Sequence, residues 1–185
     1  LLMESAKILF SPQEKRLMND AEVLRLKRSI LEKIEGMFGS MAAYIDVLLH
    51  DPHSALPAEA ITFGPKISRG EQFKGLPYRM LDYPRIFSRD EILACRTFFW
   101  WANHLSITLH LKGPFLQRYG RDLLYALCES TDMDLRIQWN GDEWDHDVSG
   151  YAVLAHRSAE EWLQEIASAP FCKFSCPVNF KDHNL

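Results

Sequence analysis

The chain has 185 residues, with 21 Lys and Arg against 25 Asp and Glu, for a net charge of −4. Hydrophobic residues make up 47% and aromatics 12%, enough to fill one core without a metal or disulfide staple, and the acidic balance argues against a nucleic-acid partner. No apolar run reaches the roughly 18 residues of a membrane span. Leu1-Leu2-Met3-Glu4 lacks the basic and apolar regions of a signal peptide, so a soluble cytoplasmic single domain is expected.

From the N-terminus, Ser11-Pro12-Gln13-Glu14 combines a capping box with proline at the first helical position. A longer helix follows from Asp20 to His50. Val23, Ile30, Leu31, Ile34, Met37, Phe38, Met41, Ile45 and Leu48 recur at three- and four-residue steps, and Gly36 and Gly39 are candidate kink points. Residues 51–66 read as loop. Leu76 to Phe87 reads as extended, its prolines placing it at a sheet edge or a bulge, and Ser88 to Glu91 as a turn. Residues 93–112, rich in β-branched and aromatic side chains, read as strand. Gly113-Pro114 breaks that run and opens a helix over 114–128.

Asn140-Gly141 sits between two short alternating runs, the preferred two-residue hairpin turn because both positions take positive φ. A hairpin over 135–146 is therefore expected. Ser158-Ala159-Glu160-Glu161 is a second capping box and starts a helix to about Ser168. Phe171 to Phe180 reads as a last strand. Helices in front, over 11–50, and a sheet-rich part over 66–185 give an α+β class with an antiparallel or mixed sheet.

The blocks Gly75-Leu76-Pro77-Tyr78 and Leu81-Asp82-Tyr83-Pro84-Arg85, with Arg96-Thr97-Phe98-Phe99-Trp100-Trp101 and Ser106-Ile107-Thr108-Leu109-His110-Leu111, resemble a family of small uncharacterised bacterial proteins. The resemblance covers about residues 64–112. It implies a bacterial, cytoplasmic origin and supplies no activity and no site residues.

Parity separates residues 96–112 into two faces, since side chains alternate along a strand. Leu105, Ile107, Leu109 and Leu111 fall on the odd face, which reads as core. The even face holds Arg96, Phe98, Trp100, His104, Ser106, Thr108 and His110. It is either the wet side of a half-exposed sheet or the lining of a ligand or partner surface. A turn within Ala102–His104 would shift this parity. His104 and His110 are about 20 Å apart on one strand, too far to share a metal.

Residues 66–89 carry a local excess of positive charge and residues 129–147 an excess of negative charge. Such segments solvate the surface, pair with each other, or form an anion site and a partner surface. Gly70 to Gly75 is not a phosphate loop, because Leu76 stands where lysine is required. Asp142 to Asp147 lacks the spacing of a calcium loop. Cys95, Cys128, Cys172 and Cys176 read as reduced, mostly buried small hydrophobes.

No catalytic or metal-binding motif is present, and no cofactor is expected. The leading expectation is a non-enzymatic binding or protein-interaction module, using the even face of 96–112 beside the basic segment 66–89. The candidate ligand residues are Arg79, Asp82, Arg85, Arg96, Trp100 and His104. The alternative is an enzyme acting on an anionic small molecule, with His104 and Asp82 as acid–base residues. A homo-oligomer remains open.

Overall fold

The computed structural model describes residues 8–130 and 132–178. Its elements are α1 (Pro12–Met18), α2 (Ala21–Leu49), β1 (Lys66–Phe73), β2 (Leu76–Phe87), β3 (Ile92–Trp100), β4 (His104–Lys112), α3 (Pro114–Cys128), β5 (Arg136–Gln138), β6 (Ala152–Val153), α4 (Ala159–Glu165) and β7 (Phe171–Val178). The seven strands form one antiparallel sheet in the order β1-β2-β3-β4-β7-β5-β6. This is the expected α+β class.

Local chemistry explains the helix starts. The Ser11 hydroxyl accepts from the Glu14 N–H while the Ser11 N–H donates to the Glu14 carboxylate, and Ser158 and Glu161 repeat the arrangement at α4, satisfying otherwise orphaned first-turn groups. Asp20 caps α2. Gly36 and Gly39 do not split α2, which runs unbroken for 29 residues. The last strand is described to Val178; Asn179 and Phe180 lie outside the described residues.

Residues 93–112 form a hairpin rather than one strand. Its loop, Trp101-Ala102-Asn103, has three residues, with Ala102 at φ 60°. Because Trp100 pairs with His104, even positions face even positions across the turn: Phe98 meets Ser106, Arg96 meets Thr108 and Ala94 meets His110. The turn therefore preserves the parity that it threatened.

β2 is an interior strand, so of the two places its prolines allow, the bulge is the one used. The register shifts between Asp82 and Arg85, where the Tyr83–Pro84 peptide is cis. Beyond the bulge the odd positions, Arg85 and Phe87, join the face that holds Asp82. At Gly70 of β1 an added Cβ would lie 2.2 Å from the Tyr78 ring; glycine there lets that ring lie across the strand.

The odd face of the sheet is the main core. Leu81, Leu93, Phe99, Leu105, Leu111 and Phe174 are buried with Leu31 and Phe38 of α2, Leu124 of α3 and Trp162 of α4. Helix α2 is also tied to β2 by polar contacts. Arg79 donates from Nε to Glu35 at 2.6 Å, and the Tyr83 hydroxyl donates to Asp46. Leu105 and Leu111 are buried and Leu109 half-buried, but Ile107 is 39% exposed, which corrects the expectation that all four are buried together. An Ile107→Thr variant should accordingly change stability by no more than about 1 kcal/mol, as read from a urea midpoint.

The hairpin over 135–146 is absent. Only Gly141, at φ 78°, takes the left-handed conformation there. β5 pairs with β6 and β7 instead of with residues after the turn. The chain from 142 to 151, irregular apart from a 3-10 turn at Val148–Gly150, lies across the even face of the sheet.

Candidate functional site

This crossing segment changes the meaning of the even face. Phe98, Trp100, Ser106, Thr108 and His110 are all buried, with Lys173 and Ser175 of β7 beside them. Their polar character marks a second interior layer rather than a wet surface, so the expectation of a half-exposed sheet is overturned.

The cover is held down by charge. The Lys74 ammonium donates to Asp147 at 2.8 Å and lies 3.5 Å from Asp145. Lys112 contacts both oxygens of Glu143 at 3.0 Å. Burial alone would raise the Asp147 carboxyl, but hydrogen bonds from Lys74 and Ser149 outweigh it and hold the group at about 2. The acidic segment thus pairs in part with basic residues of the sheet. Aromatic contacts complete the cover: His146 packs on Phe98 at 5.1 Å between ring centroids, and Trp144 on His110 at 5.8 Å.

Two cations lie under this cover. Arg96 grips Asp82 in two prongs, Nε to Oδ1 at 2.7 Å and Nη2 to Oδ2 at 3.1 Å, and its Nη1 donates to the His146 ring at 3.2 Å. The pairing follows from register, since Asp82 and Arg96 are direct neighbours on β2 and β3. Lys173 donates to the Asp145 carbonyl at 2.7 Å, the Tyr151 hydroxyl at 2.6 Å and Gln138 Oε1 at 3.0 Å. Its three hydrogen-bond acceptors are neutral, and burial, aided by Arg96, lowers its pKa to about 8. Burial first, then the nearby cations, pushes His110 and His146 down to about 3.

These side chains enclose a chamber lined by Arg96, Phe98, Ser106, Thr108, His110, His146, Tyr151 and Lys173. About 10 Å³ is open to the centre of a water molecule, which is room for one water. Thr108 and Ser175 hydrogen-bond each other at 2.6 Å, whereas the buried Nε2 of His110 meets no partner among the described residues.

A larger groove of about 220 Å³ adjoins the chamber, and Phe87 and Arg96 line both. Lys66, Asp82, Arg85 and Trp144 complete its charged and aromatic lining. Arg85 donates to the Gly64 carbonyl at 2.7 Å and lies over the Phe63 ring. Neither Lys66 nor Arg85 meets a carboxylate within ion-pair distance among the described residues.

The expected site residues therefore divide. Asp82, Arg85 and Arg96 come together at the groove. Arg79 does not join them: it points to the odd face, where Glu35 and Glu71 neutralise it. Trp100 lies at the hairpin end, in edge-to-face contact with Phe73 at 5.0 Å and His104 at 5.8 Å between ring centroids. His104 and Asp82 do not form an acid–base pair. Asp82 shares a row with Arg96 and Thr108, and His104 is four residues farther along β4, about 13 Å.

Sequence reading missed Lys66, Tyr151 and Lys173 as site residues and His146 as a partner of Arg96. For Lys173 a signal was present: it is the one charged residue of its strand, set between Cys172 and Phe174. Of the four free cysteines only Cys172 is buried; the other three are half-buried, short of the expectation. Among the described residues, no three His, Cys, Asp or Glu side chains are grouped as a metal site would need, and no helix is long and apolar enough to cross a membrane.

No protein-family model matches the chain, and no curated protein or solved structure matches it. The geometry alone carries the functional reading.

Proposed function

We propose that the protein is a binding protein for a small anionic molecule, held in the groove beside the covered chamber. The observation that carries this reading is the grouping of Lys66, Arg85 and Arg96 around one groove that contains a single carboxylate, Asp82. Asp82 is already committed to Arg96, so the charge of Lys66 and Arg85 is left over for a ligand. Arginine and lysine bind phosphate and carboxylate through charge-assisted hydrogen bonds. The aromatic pair Phe87 and Trp144, with centroids 6.1 Å apart, offers an apolar wall beside them. Both are partly exposed, at 38% and 46%, as a binding surface requires.

The absence of an acid–base pair at the groove favours binding over catalysis. Asp82 is spent on a salt bridge, and of the nearest histidines His110 is buried and His146 half-buried, both held well below the ordinary imidazole range.

The test is thermal denaturation with phosphate, sulfate, nucleotides and small carboxylates at matched ionic strength. A ligand at about a hundred times its Kd adds roughly 2.7 kcal/mol to the folded state, or roughly 5–10 °C for a chain of this size. The shift should saturate, and Lys66→Gln and Arg85→Gln should reduce it while leaving the unliganded Tm nearly unchanged. If no anion stabilises the protein beyond the ionic-strength effect, or if both variants respond like the parent, the reading fails.

A further inference from the structure

Helix α2 is about 43 Å long, yet its buried residues are Leu31, Phe38, Ala42 and Leu49. The first ten residues of the helix contribute none. On that part Val23, Leu26 and Ile30 are 42%, 54% and 41% exposed. With Lys33 they stand at steps of three, four and three residues, the a-d-a-d spacing of a coiled-coil seam. Three large apolar side chains aligned on one outward face mark a surface that another helix covers.

We infer that this seam pairs with the same seam of a second copy, the two helices running antiparallel about a twofold axis near Arg28. The charges beside the seam select this occupant. Glu22 stands at one end, with only an exposed 3.7 Å contact to Arg25. Lys33 stands at the other and meets no carboxylate within ion-pair distance among the described residues. In an antiparallel pair Leu26 of each copy packs on Ile30 of the other. Val23 packs on the aliphatic stem of Lys33, and the Lys33 ammonium reaches Glu22. Two identical ion pairs then close the two ends of the seam, as a self-complementary twofold interface requires. A parallel pair would instead set Glu22 against Glu22 and Lys33 against Lys33, which is repulsive.

Sedimentation equilibrium on the full chain tests the inference. The parent should be a dimer that dissociates on dilution. Leu26→Glu with Ile30→Glu should raise the dimer dissociation constant at least about tenfold, since it buries charge at the centre of the seam, while the melting of the sheet core stays as in the parent. Glu22→Lys alone and Lys33→Glu alone should each weaken the dimer a few-fold, and the two together should restore it. The charge changes leave the apolar seam intact, so they report on pairing even if the apolar variant perturbs the helix. A parent that is monomeric at all concentrations overturns the inference. A dimer indifferent to Leu26→Glu with Ile30→Glu places the interface elsewhere, and a double charge exchange that fails to restore the dimer overturns the antiparallel register.

Discussion

Replacing Asp82 with Ala should destabilise the protein by about 3–5 kcal/mol. Asp82 is 5% exposed and makes a two-pronged salt bridge to Arg96 beneath the 142–151 cover. Its removal leaves a guanidinium facing a neutral histidine ring, the Phe87 ring and the polar chamber. A buried charge stripped of its partner costs far more than the intact pair contributes, because its desolvation is no longer offset. The second replacement that distinguishes this cause is Arg96→Met in the Asp82→Ala background. With neither charge present no desolvation remains uncompensated, and a large part of the loss should return. Urea denaturation of the parent, the single and the double variant reads both effects. A single-variant loss below about 1 kcal/mol would mean that water reaches the pair and screens it as at a surface.

How much of this was legible depends on the range of the interaction involved. The capping boxes at Ser11 and Ser158, the helices α2 and α3 and the extent of β2 are written within a few neighbouring residues and appear as expected, although Val23, Ile30 and Leu48 of the α2 stripe stay exposed. Asn140-Gly141 is equally local, and there the local preference lost. The residues after Gly141 are drawn over the sheet by Lys74, Lys112 and Lys173, each 28 or more positions from its partner in sequence, and β5 finds its partner in β7. Distant ion pairs and a distant strand outweigh a turn preference.

The candidate site shows the same division. Parity placed Arg96, Ser106, Thr108 and His110 on one face, and the odd-length hairpin loop kept them there. Polarity then suggested water on that face, whereas it serves a buried polar layer. Lys173 reaches His110 only through the β4–β7 pairing, and the bulge at Tyr83–Pro84 moves Arg85 to the face of Asp82. Neither long-range register nor a bulge can be read from the alternation of a single segment.

The same buried layer should make stability strongly dependent on pH. Burial, reinforced by Arg96 and Lys173, holds His110 and His146 at about 3 in the native state, against about 6.5 in an unfolded chain. Between these values the unfolded chain binds protons that the native chain refuses. Stability from these groups is therefore complete above about pH 6.5 and falls as the pH drops towards 3. The slope is about 1.4 kcal/mol per pH unit for each histidine that remains neutral. Asp147, held at about 2, acts in the same direction below about pH 3.8: the cover loses its tie to Lys74 as that carboxylate is protonated. Lys173 extends the trend at the other end. Its pKa of about 8 lies below the ordinary lysine value, so stability should rise further as the pH climbs from about 8 to about 10.5. Urea midpoints should climb from about pH 4 to about pH 6.5 and level off towards about pH 8, and replacing His110 and His146 with Gln should flatten the acid limb. A parent midpoint independent of pH over that interval would mean that the two imidazoles take up protons in the folded protein, and so that the cover opens to water more readily than its ion pairs imply.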